Sequence, residues 1–195
     1  MPAKKKLQEF KRDLILEEAG RLFIEEGYEA MKVADLARNV GLSVGTIYNL
    51  FGSKENLYNN YLFSLVENAR SLVESAFEQH IDPLERLHAI TRIKYELVSQ
   101  HKLAMKESVN DPSFFTHMAI DKENPMMQLF FYLAEEVMRP LAQRYGCKKD
   151  PMELVFLFDG LGIGTIKCWM ACGGDLKSRL DESIEQFLLL LKAPQ

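Results

Sequence analysis

The sequence predicts an all-α protein in which an N-terminal three-helix helix-turn-helix domain is joined to a larger helical domain, about nine helices in all. Apolar residues recur at spacings of three and four along most of the chain, which is the period of an amphipathic helix. No segment shows the strict apolar–polar alternation of a half-buried strand. Glycine and proline separate the helical segments, as at Gly41, Pro83 and Gly173. We expect the domains to cover residues 1–52 and 53–195.

The composition predicts a globular chain, since 47% of its 195 residues are hydrophobic and 27% are charged. No uninterrupted apolar run reaches the ~18 residues of a membrane helix, and charges after the basic N-terminus argue against a signal peptide. Three cysteines give no disulfide framework and predict a reducing, cytoplasmic location. The net charge of −4 arises from residues 61–195, because residues 1–60 hold equal numbers of basic and acidic residues. A local basic face is therefore compatible with this composition.

The first twelve residues form a basic segment that we interpret either as an arm reaching phosphates or a minor groove, or as a frayed, solvated terminus. Its basic residues are Lys4, Lys5, Lys6, Lys11 and Arg12. A first helix is predicted from about residue 7 to residue 26, where Gly27 ends it. The inner stripe of this helix is predicted to be Leu14, Ile15, Ala19, Leu22 and Phe23.

Residues 33–51 predict two short helices joined by a tight turn. In the first helix, Val33, Leu36, Ala37 and Val40 share one apolar face. Gly41 supplies a left-handed residue at the end of this helix, and Ser43 is a good N-cap for the next. The inward residues of the second helix are predicted to be Ile47, Leu50 and Phe51.

The outer face of this second helix carries small, hydrogen-bonding and aromatic side chains. These residues are Val44, Gly45, Thr46, Tyr48 and Asn49. A short exposed helix of this kind suits the major groove of DNA. The spacing alone is also compatible with an ordinary helical hairpin inside a core.

The segment GYEAMKVADLARNVGLSVGTIYNLFGSKENLYNNYL closely resembles the DNA-binding domain of the TetR family of bacterial repressors. The resemblance covers roughly residues 10 to 62 without gaps and includes core and surface positions. The matching residues are Phe23, Gly27, Tyr28, Asp35, Leu36, Ala37, Gly41, Leu42, Ser43, Gly45, Thr46, Ile47, Tyr48, Phe51, Ser53, Lys54, Glu55, Asn56 and Leu57. Beyond this segment the chain resembles the family only in length and helical character.

The resemblance implies that residues 44–51 form a recognition helix. The sequence departs from the family at Lys32, where a Thr or Ser cap is usual. Lys32 cannot accept an amide hydrogen bond, so this helix start is expected to be weaker, with the ammonium placed for a phosphate. At the next helix start, Lys54 and free amides suit a second phosphate. The candidate DNA-binding residues are Lys32, Ser43, Val44, Gly45, Thr46, Tyr48, Asn49 and Lys54.

The second domain is predicted to contain helices over residues 54–80, 83–100, 125–145, 151–172 and 178–191, with a shorter segment over 103–110. Pro140 is expected to kink the helix that contains it. Three glycines in the most apolar helix, Gly160, Gly162 and Gly164, indicate close approach of another helix. The resemblance implies that the last two helices pair with a second copy in a homodimer, and that tilting of the 54–80 helix links the domains.

Aromatic and methionine residues between positions 77 and 138 predict a ligand pocket, although any one of them could simply fill the core. The candidate pocket residues are Phe77, Tyr95, Phe114, Phe115, Met118, Met127, Phe130 and Phe131. No catalytic constellation, metal-ligand spacing or cofactor motif is present, and the four histidines are scattered. Cys168 and Cys172, four residues apart, fit either a thiol sensor or metal ligand, or structural cysteines.

These observations favour a homodimeric regulator, most simply a repressor, that binds a palindromic double-stranded DNA operator and is released by a small apolar or amphipathic effector. No membrane partner, cofactor or enzymatic activity is expected. One alternative is a DNA-binding adaptor controlled by a protein partner without a small ligand. A second alternative, a helical enzyme with an appended helix-turn-helix, lacks convergent catalytic groups in the sequence.

Overall fold

A computed structural model describes residues 2–110 and 124–192, and within these residues the chain forms nine α-helices and no strand. The first six helices are α1 (Pro2–Ala30), α2 (Val33–Asn39), α3 (Val44–Phe51), α4 (Lys54–Gln79), α5 (Pro83–Gln100) and α6 (Lys102–Asn110). The other three are α7 (Pro125–Leu133, a π-helical turn Ala134–Met138, and Arg139–Tyr145), α8 (Pro151–Cys172) and α9 (Leu180–Lys192). A single 3-10 turn, Lys177–Arg179, precedes α9. The predicted all-α class is confirmed.

The chain forms two compact units, the first comprising Met1–Leu65 with His101–Asn110 and the second comprising Val66–Gln100 with Asp111–Gln195. The first unit extends past residue 52 because the first turns of α4 and the whole of α6 pack with α1. The sequence predicts that residues 1–52 bind DNA and that residues 53–195 bind ligand and form the dimer. This division concerns function, and it stays a prediction.

The core of the first unit is an aromatic cluster around Phe23. The Phe23 ring lies 5.2 Å from the ring of Tyr58 and 5.3 Å from that of Tyr61, measured between centroids. Gly20 makes room for this packing, because a Cβ at that position would lie 2.9 Å from a Tyr61 ring carbon. Leu14, predicted to face inward, is 37% exposed. The buried stripe of α1 passes through Ile15 and Ala19, and Leu14 lies at its edge.

The side chain of His101, just before α6, is anchored within the first unit by Tyr61, whose hydroxyl lies 2.7 Å from Nδ1 of the imidazole. Burial lowers the pKa of His101 from its usual 6.5. Below pH 6.5 the unfolded chain therefore binds a proton more readily than the folded chain does. His101 contributes stability above pH 6.5, and this contribution is lost as the pH falls through its folded-state pKa.

We expect the free energy of unfolding to fall between pH 7.5 and pH 5.5, and we expect His101→Gln to reduce this slope. Glutamine does not titrate and can still accept a hydrogen bond from Tyr61. Urea unfolding at a series of pH values measures the effect, with His88→Gln as the control. An unchanged pH slope in His101→Gln would show that His101 does not carry this dependence.

The second unit has its own apolar core, formed by residues from α4, α5, α7, α8 and α9. The hydroxyls of two other buried residues of this unit, Tyr95 and Ser183, form a hydrogen bond of 2.7 Å. On the apolar side of α4, Val73 is buried in this core, whereas its neighbour Leu72 is 55% exposed.

The predicted kink at Pro140 takes the form of a π-helical turn, Ala134–Met138, immediately before it. Proline lacks an amide hydrogen, so the carbonyl of Glu136, four residues earlier, loses its helical donor. The guanidinium of Arg86 donates to this carbonyl at 3.2 Å and to the Glu136 carboxylate at 2.7 Å. An arginine side chain thus satisfies the carbonyl that the proline leaves without a helical partner.

The three glycines of α8 have different surroundings. A Cβ on Gly162 would lie 2.9 Å from the Lys94 ammonium. This ammonium pairs with the Asp159 carboxylate at 2.6 Å. The group that approaches Gly162 closely is therefore a lysine side chain. Gly160 and Gly164 are exposed, and among residues 2–110 and 124–192 nothing lies within 4 Å of a Cβ built on either. Their faces are open for packing against another molecule.

By length and composition alone, α8 is long and apolar enough to cross a membrane. The sequence alone did not indicate this helix, because only uninterrupted runs of apolar residues were counted there. A single helix of this kind is weak evidence, since the core helices of water-soluble proteins share the same length and composition. Asp159 lies in the middle of α8 and forms an ion pair with Lys94.

Candidate nucleic-acid interface

The helix-turn-helix has the local geometry that the sequence predicts. Lys32 occupies the N-cap of α2 in an extended conformation and makes no side-chain cap bond. The weaker helix start expected from this stays a prediction. Gly41 has a φ of 68°, so the turn passes through the left-handed region that favours glycine. Ser43 caps α3, its Oγ accepting a hydrogen bond from the Thr46 amide at 3.1 Å.

The α3 helix separates an inner from an outer face. Ile47 and Phe51 are 1% and 5% exposed, and Leu50 is half-buried. Val44, Gly45, Tyr48 and Asn49 are exposed and Thr46 is half-buried, so the predicted outer residues lie together on one accessible surface, the α3 outer face. This surface offers a methyl-bearing, a hydroxyl, an aromatic and an amide side chain to a partner.

Arg12 anchors the C-terminal end of α3, a role that the sequence did not indicate. Its guanidinium donates to the Leu50 carbonyl at 2.7 Å and to Oδ1 of Asn60 at 2.9 Å, and it lies 4.5 Å from the centroid of the Phe51 ring. A positive charge at the last carbonyls of a helix complements the helix dipole. Arg12 is therefore engaged within the first unit, and the segment interpreted either as an arm or as a frayed terminus is helical from Pro2 onward.

Lys54 lies at the start of α4, next to the cap formed by Ser53 on the Asn56 amide at 2.9 Å. Its ammonium donates to the Glu29 carbonyl at 3.2 Å and lies 4.6 Å from the centroid of the Tyr28 ring. These contacts hold the ammonium near the helix N-terminus. An ammonium has three donors, so a phosphate can still bind it.

Gly45 provides a test that separates folding from binding. A Cβ at this position would meet only Ser43 Oγ, at an ordinary contact distance of 3.8 Å. We therefore expect Gly45→Ala to leave stability unchanged, or to raise it by up to ~1 kcal/mol through helix propensity. In the predicted complex with DNA, the absence of a side chain at Gly45 lets α3 approach the duplex closely, so the added methyl group should lower DNA affinity by about tenfold.

Thermal unfolding and a DNA titration of Gly45→Ala measure the two effects. Asn68→Ala is the matched control and should keep full DNA affinity, since Asn68 is exposed in the interior of α4, where alanine also raises helix propensity. A Gly45→Ala variant with full DNA affinity would show that the backbone at this position does not approach the DNA closely.

Comparison with known proteins identifies the domain. Residues 15–61 match the model of the tetR family of bacterial regulatory proteins. This chain carries a tetR-family domain. The matched segment contains α2, the turn, α3 and the Ser53–Lys54 helix start, so all eight candidate DNA-binding residues lie within the tetR-family domain.

Two curated relatives are named as transcriptional repressors, and others are named as transcriptional regulators. The repressor KstR2 of Mycobacterium tuberculosis is 29% identical over 91 residues, which cover 47% of this chain and 46% of that protein. The repressor AcnR of Corynebacterium glutamicum is 34% identical over 103 residues, 53% of each chain. The chain spans about half the length of these relatives.

One solved structure shows that the fold extends over almost the whole chain. FadR of Thermus thermophilus, solved in complex with lauroyl-CoA, superposes with a TM-score of 0.71 over 94% of this chain and 96% of that one. The two sequences are 21% identical, so this likeness concerns the fold.

The structure places the predicted pocket residues in several environments. Phe77, Met127 and Phe130 belong to the apolar core of the second unit, whereas Phe131 is 42% exposed. Tyr95 borders a recess with an empty volume of about 240 Å³, open solvent included. The recess is lined by Thr91, Lys94, Tyr95, Phe158, Leu161, Gly162 and Ser183. The remaining candidates, Phe114, Phe115 and Met118, lie outside the described residues, and the pocket stays a prediction.

Proposed function

We propose that this protein is a cytoplasmic transcription regulator, most simply a repressor, that binds a palindromic operator as a homodimer and is released by a small ligand. The observation that carries the proposal is the α3 outer face, whose side chains are accessible while Ile47 and Phe51 fix the helix from beneath. This arrangement within a tetR-family domain suits insertion into a major groove.

Each residue of the α3 outer face has a chemical role in this proposal. The Asn49 amide can donate to and accept from an adenine edge, and Val44 can contact a thymine methyl. Thr46 and Tyr48 bind base edges or phosphates through their hydroxyls. The Ser43 hydroxyl is engaged in the helix cap and lies at the edge of the same surface. Lys32 and Lys54 bind phosphates on either side of α3, which positions the helix.

The dimer is proposed to form through α8 and α9. Phe156 and Leu189 are 46% and 68% exposed, although both are large apolar residues on otherwise core-forming helices. Gly160 and Gly164 leave open space that a partner helix can approach closely. Two recognition helices about 34 Å apart would then bind both halves of a palindrome.

The effector is proposed to be a small apolar or amphipathic molecule that binds the second unit. FadR of Thermus thermophilus has the same fold and was solved in complex with lauroyl-CoA, which makes acyl-CoA compounds the first candidates to test. A ligand that binds the DNA-free form more tightly lowers operator affinity by the same factor by which the operator lowers ligand affinity.

Selection of bound duplexes from a random DNA library tests the proposal, because the selection itself yields the operator sequence. We expect a palindromic sequence whose affinity falls as salt rises. Lys32→Thr should reduce the slope of log affinity against log salt by about 1, since one phosphate contact is lost. Failure to enrich any sequence would contradict DNA recognition, whereas an unchanged slope would remove only the Lys32 contact.

A panel of acyl-CoA and other amphipathic compounds, added to the selected complex, tests the effector. Release of the operator by one class of compound supports the ligand-controlled regulator. Unchanged affinity across the panel would favour the adaptor controlled by a protein partner.

A further inference from the structure

Two exposed thiols lie one helical turn apart near the C-terminal end of α8. Cys168 and Cys172 are both free and exposed, and Cys172 is the last residue of the helix. Side chains four residues apart on a helix lie on the same face, with Cβ atoms about 5–6 Å apart. The third cysteine, Cys147, is buried and lies outside α8. The proposed DNA recognition uses none of these thiols.

The guanidinium of Arg179 lies against the first of these thiols. Its Nη1 is 3.2 Å from Cys168 Sγ, and its Nη2 donates to the Gly173 carbonyl at 3.4 Å. The second contact fixes the guanidinium at the end of α8. The first contact therefore holds the Cys168 sulfur in a fixed position near the C-terminal end of α8.

We propose that Cys168 and Cys172 form a bidentate site for a soft, thiol-seeking compound of trivalent arsenic that carries one organic substituent. Each of the two sulfur atoms displaces oxygen from arsenic, so two S–H bonds break and two As–S bonds form. The oxygen of the arsenoxide leaves as one molecule of water. Arsenic and sulfur keep their oxidation states, so the reaction needs no oxidant.

The number of ligands favours such a compound over a metal ion. A structural zinc site usually needs four protein ligands, and a monosubstituted arsenic(III) centre needs two. Among residues 2–110 and 124–192, no group of three or more His, Cys, Asp or Glu side chains could hold a metal ion. The thiol pair supplies the two ligands that the arsenical requires.

The helix also disfavours a disulfide between the two cysteines. A disulfide needs Cβ atoms about 3.5–4.5 Å apart, which is shorter than the spacing of about 5–6 Å on an intact helix. While α8 stays helical, both thiols therefore remain available. An arsenic atom between the two sulfurs bridges a wider gap than a direct S–S bond.

Titration of the reduced full-length protein with phenylarsine oxide, followed by intact-mass spectrometry, tests the site. We expect one phenylarsenic group per chain, resistant to 2-mercaptoethanol and removed by 1,2-ethanedithiol. Cys168→Ser and Cys172→Ser should each weaken binding by about 100-fold, because the second As–S bond forms intramolecularly. Cys147→Ser is the matched control and should bind normally. Arg179→Gln should leave the stoichiometry unchanged, because both sulfur ligands remain.

Three results would overturn the proposal. They are a native protein that takes up no phenylarsenic group, an adduct that survives in the Cys168→Ser/Cys172→Ser double variant, and an adduct mapped to Cys147. The first result includes the case in which the proposed dimer covers the thiols. Circular dichroism of the serine variants distinguishes loss of the site from loss of the fold.

Discussion

Replacing Arg12 by alanine is expected to lower the free energy of unfolding by about 2–3 kcal/mol and to weaken DNA binding by at least about tenfold. The guanidinium makes two charge-assisted hydrogen bonds, to the Leu50 carbonyl at 2.7 Å and to Asn60 at 2.9 Å, and it also packs on the Phe51 ring. Hydrogen bonds to charged groups contribute about 1.5–3 kcal/mol each, with partial compensation by water after truncation. DNA affinity falls because Leu50 and Phe51 end α3, whose orientation then loosens.

Urea unfolding and DNA titration of the same preparations measure both effects of Arg12→Ala. Arg21→Ala is the matched control, since Arg21 lies in the same helix but makes exposed ion pairs with Glu18 and Glu25. Such exposed pairs contribute little, so this variant should behave like the native protein. A variant Arg12→Lys should give intermediate affinity, because an ammonium cannot make the same planar pair of bonds. Full DNA affinity in Arg12→Ala would limit the role of Arg12 to stability.

Tyr48→Ala is expected to weaken operator binding by about 1–3 kcal/mol, roughly fivefold to 150-fold, with little change in stability. Tyr48 is 43% exposed on the α3 outer face, so its removal leaves no cavity in the core. In the proposed complex, the substitution removes both a hydroxyl donor and the aromatic surface that contacts DNA.

A titration of the selected operator measures the effect of Tyr48→Ala. Phe131→Ala is a matched control, because Phe131 is an aromatic residue of α7 with nearly the same exposure, 42%. We expect Phe131→Ala to retain operator affinity. Equal affinities of both variants would mean that the α3 outer face does not bind DNA.

The helix-turn-helix could be predicted from the sequence because its determinants are local. The bounds of α3 follow from the Ser43 cap and the glycine at residue 52, and the turn follows from the left-handed residue Gly41. Buried and exposed positions follow from a period of 3.6 residues, which places Ile47 and Phe51 on one side. Each of these signals acts within about four residues of the position that it fixes.

Contacts between residues distant in sequence could not be predicted in the same way. The bond from Arg12 to Leu50 joins positions 38 residues apart, and a basic N-terminal run indicated phosphate contact instead. The contact of Lys54 with Glu29, 25 residues away, depends on how α1 packs near α4. A helical period also does not fix which edge of a stripe is exposed, as Leu14 and Leu72 show.

The glycines of α8 show the same limit. Their cost in a helix indicated a compensating close approach, but not its partner. Gly162 receives the side chain of Lys94, whereas Gly160 and Gly164 face open space within the chain. The identity of the approaching group depends on tertiary and quaternary packing that a single sequence does not encode locally.

Methylation interference on the selected operator tests most directly whether α3 enters the major groove. Guanine N7 lies in the major groove and adenine N3 lies in the minor groove. We predict that N7 methylation blocks binding at two clusters of positions, centred about 34 Å apart or a multiple of this distance, while N3 methylation at those positions does not. Interference confined to N3, or the absence of two symmetric N7 clusters, would contradict insertion of α3 into the major groove.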